Sequence, residues 1–320
     1  MIRLGLIGCG EHSEVGHAVP LARYRAAHPG GIELAAACDL RIDCAQDFCR
    51  RYGFANAYSD VDEMLAAERF DGCIAVVPVD KISEVGIKLL RSHVPCVVEK
   101  PLGVSLTEVK QLLDTALATQ TPAMVSVNRR FMPYLNRAIK WTRSAGVLRY
   151  VRCTLARHAR REPDFLWTTA VHTVDALRHI AGEVTDAKMQ TLKSHGEPGQ
   201  WYAIDLRFES GVVGRIDVLP TAGMLEETYE LIGEGFRAMV TCPFGPERGW
   251  RCFQGNRVVS KETAPDDMAE DILNGCYDEG TEFIRALTMK DTPHPSMENV
   301  FPSVEICFTL AKNANKAPDF

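Results

Sequence analysis

Short apolar runs alternate with amphipathic stretches over roughly the first 120 residues. The runs are rich in Val, Ile, Ala and Cys, which is typical of strands covered on both faces. They lie at residues 2–7, 33–38, 72–77, 94–98 and 123–127. The stretches between them predict helices at residues 15–27, 42–52, 61–67, 82–92 and 106–119. This regular alternation predicts an α/β fold with a doubly wound parallel sheet.

The pattern changes in the second half of the chain, where strand-like runs follow one another and several alternate polar and apolar residues. After a helix at 133–144, predicted strands lie at 150–156, 188–193, 201–209, 212–219, 227–232, 237–241 and 251–253. Helices at 271–288 and 301–315 close the chain. We predict two domains, residues 1–122 and residues 123–320. The second is an α+β domain with a large, mostly antiparallel open sheet, and its free face predicts self-association.

Composition narrows the possible partners. The 320 residues are 46% hydrophobic and carry a net charge of -6 without a long basic run, which argues against nucleic acid as a partner. No apolar stretch approaches the ~20 residues needed to span a membrane. The first strand begins at the N-terminus without a signal peptide, and the 11 cysteines form no Cys-x-x-Cys pair. We therefore expect a cytoplasmic protein.

A glycine-rich turn follows the first predicted strand and leads into the first helix. In a nucleotide-binding Rossmann fold, the first glycine permits the turn, the second lets the backbone approach a pyrophosphate, and a small third residue packs helix against strand. The helix N-terminus adds N–H donors and partial positive charge. The predicted cofactor-binding residues are Gly8, Cys9, Gly10, Glu11, His12 and Ser13.

An acidic residue ends the second predicted strand. Asp39 can accept hydrogen bonds from both hydroxyls of a ribose and would repel a 2′-phosphate, so NAD is favoured as the cofactor. Leu40 and Arg41 follow it, and the charge of Arg41 leaves NADP possible. The alternative is that Asp39 only caps the next helix.

The tripeptide Glu99-Lys100-Pro101 ends the fourth predicted strand, at the carboxyl edge where ligands of open α/β sheets bind. An amine at this edge can bind a substrate hydroxyl and ease its deprotonation, and burial would lower its pKa. Pro101 is expected to fix the turn, with a cis bond as one way of doing so. Lys100 is therefore a predicted catalytic and cofactor-binding residue, and Glu99 a predicted cofactor-binding residue.

A polar stripe marks a predicted helix in the second domain. At 3.6 residues per turn, Thr168, His172, Asp175 and His179 share one face, opposite an apolar face. The stripe lacks Lys and Glu, so it suits the lining of a cleft better than a solvated surface. His172 is the predicted acid or base, because histidine titrates near neutral pH. No third ligand accompanies His172 and Asp175, so no metal is predicted.

These motifs together resemble the glucose–fructose oxidoreductase / inositol dehydrogenase (Gfo/Idh/MocA) family. The resemblance extends over nearly the whole chain, through the glycine loop, Asp39, Glu99-Lys100-Pro101, the segment 128–131 and the His172-x-x-Asp175 helix. It implies a two-domain NAD(P)-dependent dehydrogenase of sugars, cyclitols or related polyols. It also implies a homodimer or homotetramer formed through the open sheet.

The resemblance also implies individual roles. Lys100 would lie beside the nicotinamide and the reacting hydroxyl, with His172 as the acid/base. The segment containing Asn128 and Arg129, and the loop at Val77 and Pro78, would pass near the cofactor. Two positions depart from the family. Thr168 stands where many members have an aspartate, so this chain lacks the middle residue of a Lys–Asp–His proton relay. Ile82 stands where many members have a histidine near the cofactor.

The predicted reaction is reversible oxidation of a secondary alcohol on a sugar-like substrate. Thr168 and Asp175 are predicted to contact the substrate together with Lys100 and His172. Arg157 begins a basic segment with His158, Arg160 and Arg161 that would favour a polar or acidic substrate; the alternative is a solvated basic loop. Trp167 could stack on a sugar face, the alternative being an ordinary core residue. Two alternatives stay open: an enzyme that uses tightly held NAD to cleave glycosidic bonds, and a non-catalytic dinucleotide-binding regulatory protein.

Overall fold

The structure, a computed structural model, describes residues 1–193 and 200–314. Its strands, in chain order, are β1 Ile2–Ile7, β2 Ile32–Cys38, β3 Asn56–Tyr58, β4 Gly72–Ala75, β5 Cys96–Glu99, β6 Ala123–Ser126, β7 Leu148–Ala156, β8 Val184–Lys193, β9 Gln200–Phe208, β10 Val213–Leu219, β11 Glu226–Gly233, β12 Phe236–Thr241, β13 Gly249–Gln254 and β14 Arg257–Thr263.

The α-helices are α1 Glu11–Ser13, α2 Val19–Ala27, α3 Ile42–Tyr52, α4 Val61–Ala67, α5 Val79–Arg91, α6 Leu106–Thr119, α7 Pro133–Ala145, α8 Phe165–Thr168, α9 Val171–Ala181, α10 Glu270–Leu273, α11 Cys276–Met289 and α12 Met297–Ala314. A π-helical turn, Glu14–Ala18, joins α1 to α2, and a 3-10 helix spans Asn128–Phe131. The end of the predicted helix 301–315, Asn315, lies outside the described residues.

The chain divides into two compact units. The first comprises Met1–Val127 and Cys276–Pro302, and the second comprises the described residues of Asn128–Gly275 and Ser303–Phe320. The division predicted from the sequence, between residues 122 and 123, differs in two ways: β6 belongs to the first sheet, and the chain returns to the first unit near its end.

The first unit contains a six-stranded parallel sheet in the order β3-β2-β1-β4-β5-β6. This confirms the predicted doubly wound α/β fold. Its central strands are buried, because helices cover both faces of a parallel sheet. The three-residue strand β3 was not predicted, since Asn56–Tyr58 has neither the length nor the apolar character of the other strands.

The returning segment completes the first unit. The Ser126 hydroxyl donates to Glu279 Oε2 at 2.8 Å, and the Val125 amide donates to the Pro295 carbonyl at 3.2 Å. A Cβ at Gly72 would lie 2.7 Å from Phe283 Cζ. The helix α11 therefore packs directly on the parallel sheet.

The second unit contains an eight-stranded sheet in the order β14-β13-β12-β11-β7-β10-β9-β8. Among the strands that the structure describes in this sheet, only β7 and β10 pair in parallel, so the predicted mostly antiparallel sheet is confirmed. Helices α7 and α9 pack on one face. Along β7, Val151 and Cys153 are buried while Arg152 is exposed. The edge strand β14 was not predicted, because its residues are mostly exposed and polar.

Candidate functional site

A cavity of about 670 Å³ lies in the first unit at the carboxyl ends of its strands. This volume falls within the range of small-molecule sites, about 300–1,000 Å³. The chain order of the sheet reverses between β1 and β4, which is the switch point where open α/β sheets bind their ligands. Eight of the predicted cofactor-binding residues line the cavity: Gly8, Cys9, Gly10, Asp39, Leu40, Arg41, Val77 and Pro78.

The two glycines of the loop have different environments. Gly8 has φ +92°, and a Cβ at this position would lie 1.9 Å from the Val76 carbonyl oxygen. A Cβ at Gly10 would meet no atom within 4 Å. Gly8 is therefore required by the fold itself, whereas the open space at Gly10 leaves the backbone accessible to a ligand.

The Asp39 carboxylate is held by backbone groups. The Cys9 amide of the glycine loop donates to Oδ2 at 2.8 Å, and the Arg41 amide donates to Oδ1 at 2.9 Å. The residue at the N-cap of α3 is Arg41, without a side-chain cap, so Asp39 does not act as the helix cap. A carboxylate has about four acceptor sites, and two donors leave capacity for ribose hydroxyls.

These residues fit a dinucleotide. Gly10 offers open backbone for a pyrophosphate, Asp39 offers an acceptor for a ribose, and Val77 offers an apolar wall. The cavity also has lining residues that sequence reasoning missed, namely Ile7, Cys38, Ser59, Asp60, Val61, Val76, Lys81, Glu84, Val85 and Lys88. The cap motif at Asp60, whose side chain accepts from the amides of Asp62 and Glu63, could have marked the end of β3.

Two other residues of the glycine loop make contacts within the first unit, and the cofactor contacts predicted for Glu11, His12 and Ser13 stay predictions. Ser13 is buried, as expected of a residue that packs helix on strand. His12 contacts Glu99, with its Nε2 3.2 Å from Oε1. His17 of the π-helical turn contacts the other oxygen, with its Nε2 3.1 Å from Oε2. Sequence reasoning missed His17, because the predicted helix assumed regular α-helical spacing.

Glu99 is buried, and burial by itself would raise the pKa of its carboxyl. The hydrogen bonds from His12 and His17, with the charge of Lys100 nearby, hold that pKa well below its usual range. Glu99 is therefore an anion bound at both oxygens. Lys100 follows Glu99 at the end of β5. The Lys100–Pro101 peptide is cis, which is one of the two arrangements expected for this turn.

In the second unit, two predicted site residues share one buried acid. Arg129 donates to both oxygens of Glu227, from Nε at 2.9 Å and Nη2 at 3.0 Å, and Arg157 Nη2 donates to Oε2 at 2.9 Å. The Tyr229 hydroxyl donates to Oε1 at 2.5 Å. Burial opposes ionisation of Glu227, but the two arginines lower its pKa to about 2. The cofactor and substrate contacts proposed for Arg129 and Arg157 stay predictions.

Asp175 is likewise bound within the second unit. Arg130 donates to both of its oxygens at 2.7 Å, and the Ser303 hydroxyl donates to Oδ1 at 2.8 Å. Arg178 Nη1 in turn donates to the Ser303 hydroxyl at 2.8 Å. Nearly all of α9 is buried, so its polar stripe is not a solvated face. Asp175 anchors the helix that carries His172, while its predicted contact with substrate stays a prediction.

The remaining predicted substrate residues lie on α8 and α9. Thr168 Oγ1 donates to the Asp164 carbonyl at 2.9 Å, which ties this hydroxyl to the preceding turn. Trp167 stacks on Phe308, with ring centroids 4.9 Å apart, and Phe308 was not predicted. Asn128 begins the 3-10 helix, where its side-chain amide donates to the Asn274 carbonyl at 2.9 Å.

Two further properties concern the parts of the chain that the structure describes. Within residues 1–193 and 200–314, no group of three or more His, Cys, Asp or Glu side chains could hold a metal ion. Over the same residues, no helix combines the length and apolar character needed to cross a membrane.

Comparisons with known proteins agree with the cavity in the first unit. The model of the GFO_IDH_MocA family, described as an oxidoreductase family with an NAD-binding Rossmann fold, matches residues 2–128. A 4-carboxy-2-hydroxymuconate-6-semialdehyde dehydrogenase of Sphingobium is 25% identical over 301 residues, covering 89% of this chain and 92% of the relative. A myo-inositol 2-dehydrogenase of Thermotoga maritima is 26% identical over 235 residues, covering 68% of each.

Solved structures match the fold of nearly the whole chain. A Gfo/Idh/MocA family oxidoreductase from Vibrio cholerae superimposes with a TM-score of 0.84 at 17% identity, covering 99% of both chains. An oxidoreductase from Agrobacterium radiobacter, in complex with NAD+, L-tartaric acid and magnesium, gives a TM-score of 0.81 at 18% identity, covering 98% of this chain and 97% of the other. Residues 2–128 therefore match an oxidoreductase family with an NAD-binding Rossmann fold, and the whole chain is similar to Gfo/Idh/MocA proteins in its motifs, its sequence relatives and its fold.

Proposed function

We propose that this protein transfers hydride between NAD and a secondary alcohol of a sugar, cyclitol or related polyol. The observation that carries the proposal is the arrangement at the carboxyl edge of the parallel sheet. The glycine loop follows β1, Asp39 follows β2, and Lys100 follows β5. Because parallel strands end at one edge, a dinucleotide held by the first two groups extends along the edge that carries the amine.

The proposed chemistry assigns separate tasks to two residues. A bound nicotinamide supplies the ring that accepts hydride. Lys100, as a cation, stabilises the alkoxide that develops on the substrate, and His172 accepts the hydroxyl proton. Thr168 cannot carry charge at neutral pH, so these two tasks fall to Lys100 and His172 without a carboxylate relay.

We further propose that NAD is preferred over NADP. The two backbone donors of Asp39 keep its carboxylate fixed beside the glycine loop. A 2′-phosphate would meet this negative charge, whereas two ribose hydroxyls would donate to it. Arg41 Nε lies 3.9 Å from Asp39 Oδ1 and is largely exposed, so its charge reduces the discrimination without removing it.

The substrate class has two sources of support. Relatives named for inositol and glucoside dehydrogenation favour a polyol. The relative from Sphingobium, which matches most of the chain, is named for a carboxylated substrate, and the exposed residues His158, Arg160 and Arg161 form a basic loop in the second unit. We therefore expect substrates among both neutral polyols and sugar acids.

The experiment measures nicotinamide reduction with NAD or NADP against cyclitols, aldoses, sugar acids and carboxylated hydroxy compounds. Lys100→Ala should lower kcat by about 10²–10⁴. Lys110→Ala, which removes an exposed lysine of α6, is the matched control and should keep wild-type activity. If no compound supports nicotinamide reduction although the protein still binds NAD, the proposal is contradicted. Glycoside cleavage with retained NAD, or an unchanged biological effect in Lys100→Ala, would then favour the glycosidase or the regulatory alternative.

We also propose that the protein forms a homodimer or homotetramer through the sheet face opposite α7 and α9. This face carries ion pairs between strands, such as Arg152–Asp217 at 2.6 Å and Arg215–Asp205 at 2.9 Å. Thr154 lies near its centre, between Asp217 and Thr228. Sedimentation should show an oligomer that Thr154→Arg dissociates, whereas Ser144→Arg on α7 should leave it intact. A monomeric wild type would rule out this assembly.

A further inference from the structure

The two histidines that hold Glu99 come from one short stretch of chain. His12 and His17 are five residues apart, and in a regular α-helix such residues point about 140° apart around the axis. The turn Glu14–Ala18 is π-helical, with the Val19 amide donating to the Glu14 carbonyl. Hydrogen bonding from i to i+5 brings residues five apart towards the same face. The π-helical turn therefore explains how both imidazoles reach one carboxylate.

The contacts on Glu99 use both of its oxygens. A carboxylate only accepts hydrogen bonds, so each imidazole donates through its Nε2–H. His17 and Glu99 are buried, with side chains 5% and 7% exposed, whereas His12 is 63% exposed at the surface end of the cluster. Hydrogen bonds to a charged acceptor are stronger than those between neutral groups, and the buried contact from His17 is shielded from water.

The cluster of His12, His17 and Glu99 joins two segments of the chain that the proposed reaction needs. His12 belongs to the glycine loop, whose neighbouring residues Gly8, Cys9 and Gly10 line the cavity. Glu99 immediately precedes Lys100 at the end of β5. The strands β1 and β5 are not neighbours in the sheet, because β4 lies between them. The histidine contacts on Glu99 therefore link two strand ends that share no backbone hydrogen bonds with each other.

We propose that His12 and His17 are positioning residues, which hold Lys100 in register with the dinucleotide by binding Glu99 from the glycine loop and the π-helical turn. This inference rests on the proposed function, since it takes Lys100 as the amine beside the nicotinamide. Displacements of about 1 Å at a reacting centre can cost about 10²-fold in rate. Loosening the cluster should therefore lower kcat more than it weakens cofactor binding.

The test compares Glu99→Gln, His17→Leu and His17→Gln with the wild type. Glu63→Gln, which changes an exposed acid of α4, is the control. One readout is the Kd for NAD by calorimetry. The second is the rate at which a limiting amount of acetic anhydride modifies Lys100, located by peptide mass spectrometry, with and without NAD. The third is kcat and KM for any substrate that the panel provides.

In the wild type and in Glu63→Gln, NAD should slow acetylation of Lys100 by about tenfold, because the amine lies beside the bound ligand. In Glu99→Gln and His17→Leu, this protection should fall below about twofold and kcat should fall by about 10–100-fold, while the Kd for NAD changes by less than about fivefold. His17→Gln, which keeps an N–H donor, should recover most of the protection and most of kcat.

The outcomes separate the two proposals. If NAD gives no protection in the wild type, Lys100 does not lie beside the dinucleotide, and the proposed function fails with the inference. If Glu99→Gln keeps the wild-type protection and kcat, only the positioning role is overturned. If His17→Gln shows no more protection of Lys100 and no higher kcat than His17→Leu, the hydrogen bond to Glu99 does not position Lys100, and the positioning role is also overturned.

Discussion

Asp39 in the first unit and Glu227 in the second are both carboxylates that accept hydrogen bonds at both oxygens, but their donors differ in kind. Asp39 is held by two backbone amides and faces a cavity. Glu227 is fully buried and held by the side chains of Arg129, Arg157 and Tyr229. Backbone donors fix a carboxylate and leave it capacity for a ligand, whereas the three side chains saturate Glu227 and join distant segments of the chain.

The comparison predicts that removing the charge of Glu227 has the largest effect on stability. Glu227→Gln leaves two arginines buried without their anion, and breaking such a pair typically costs about 3–5 kcal/mol. Urea unfolding should show this loss in the free energy of unfolding. Glu234→Gln, which removes a largely exposed acid, should cost less than about 1 kcal/mol. Equal effects of the two substitutions would show that the buried cluster does not stabilise the second unit.

The same residue makes stability depend on pH. The pKa of Glu227 is lowered from 4.5 to about 2 in the folded protein. A lowered pKa stabilises the folded state above the unfolded value, and this contribution, about 3 kcal/mol, is lost as the pH falls from 4.5 towards 2. The free energy of unfolding should therefore fall more steeply below pH 4.5 in the wild type than in Glu227→Gln. Parallel slopes would contradict the assignment.

The two glycines of the loop are expected to serve different purposes, Gly8 the stability of the fold and Gly10 the binding of NAD. Gly8→Ala should destabilise the protein by about 2–4 kcal/mol, since the new methyl overlaps the Val76 carbonyl at a positive φ. Gly10→Ala should change stability by less than about 1 kcal/mol but weaken NAD binding by about tenfold, because the methyl occupies the open space. Thermal unfolding and calorimetry measure both. A stable Gly8→Ala, or tight NAD binding by Gly10→Ala, would contradict this division.

The smallest effect on the fold is expected at Asp39. Asp39→Ser should weaken NAD binding by about 10–50-fold, as expected when hydrogen bonds to a charged group are lost, and should improve NADP binding. Glu84→Gln, which changes another acid on the cavity wall, should leave the ratio of the two affinities unchanged. If Asp39→Ser keeps the wild-type preference, the ribose is recognised elsewhere.

The sequence was sufficient to predict those parts of the site that depend on the local pattern of the backbone. The strand–turn–helix order at Gly8 and the acid at the end of β2 could be predicted, because neighbouring residues determine both. The partner of Arg129 could not, since Glu227 lies 98 residues further along the chain. The contact of His17 with Glu99 could not be predicted either, because the π-helical turn changes which residues share a helix face. No pattern of residue types in this segment indicates a π-helical turn.

The return of the chain through Cys276–Pro302 has a consequence for protein synthesis. A ribosome releases the nucleotide-binding residues first, yet Glu279 and Phe283, which pack against β6 and β4, emerge only after the whole second sheet has been made. The second unit's sheet strands can therefore pair while the first sheet still lacks a covering helix. Nascent chains stalled before residue 276 should expose that uncovered surface to chaperones, and those extended past residue 302 should not.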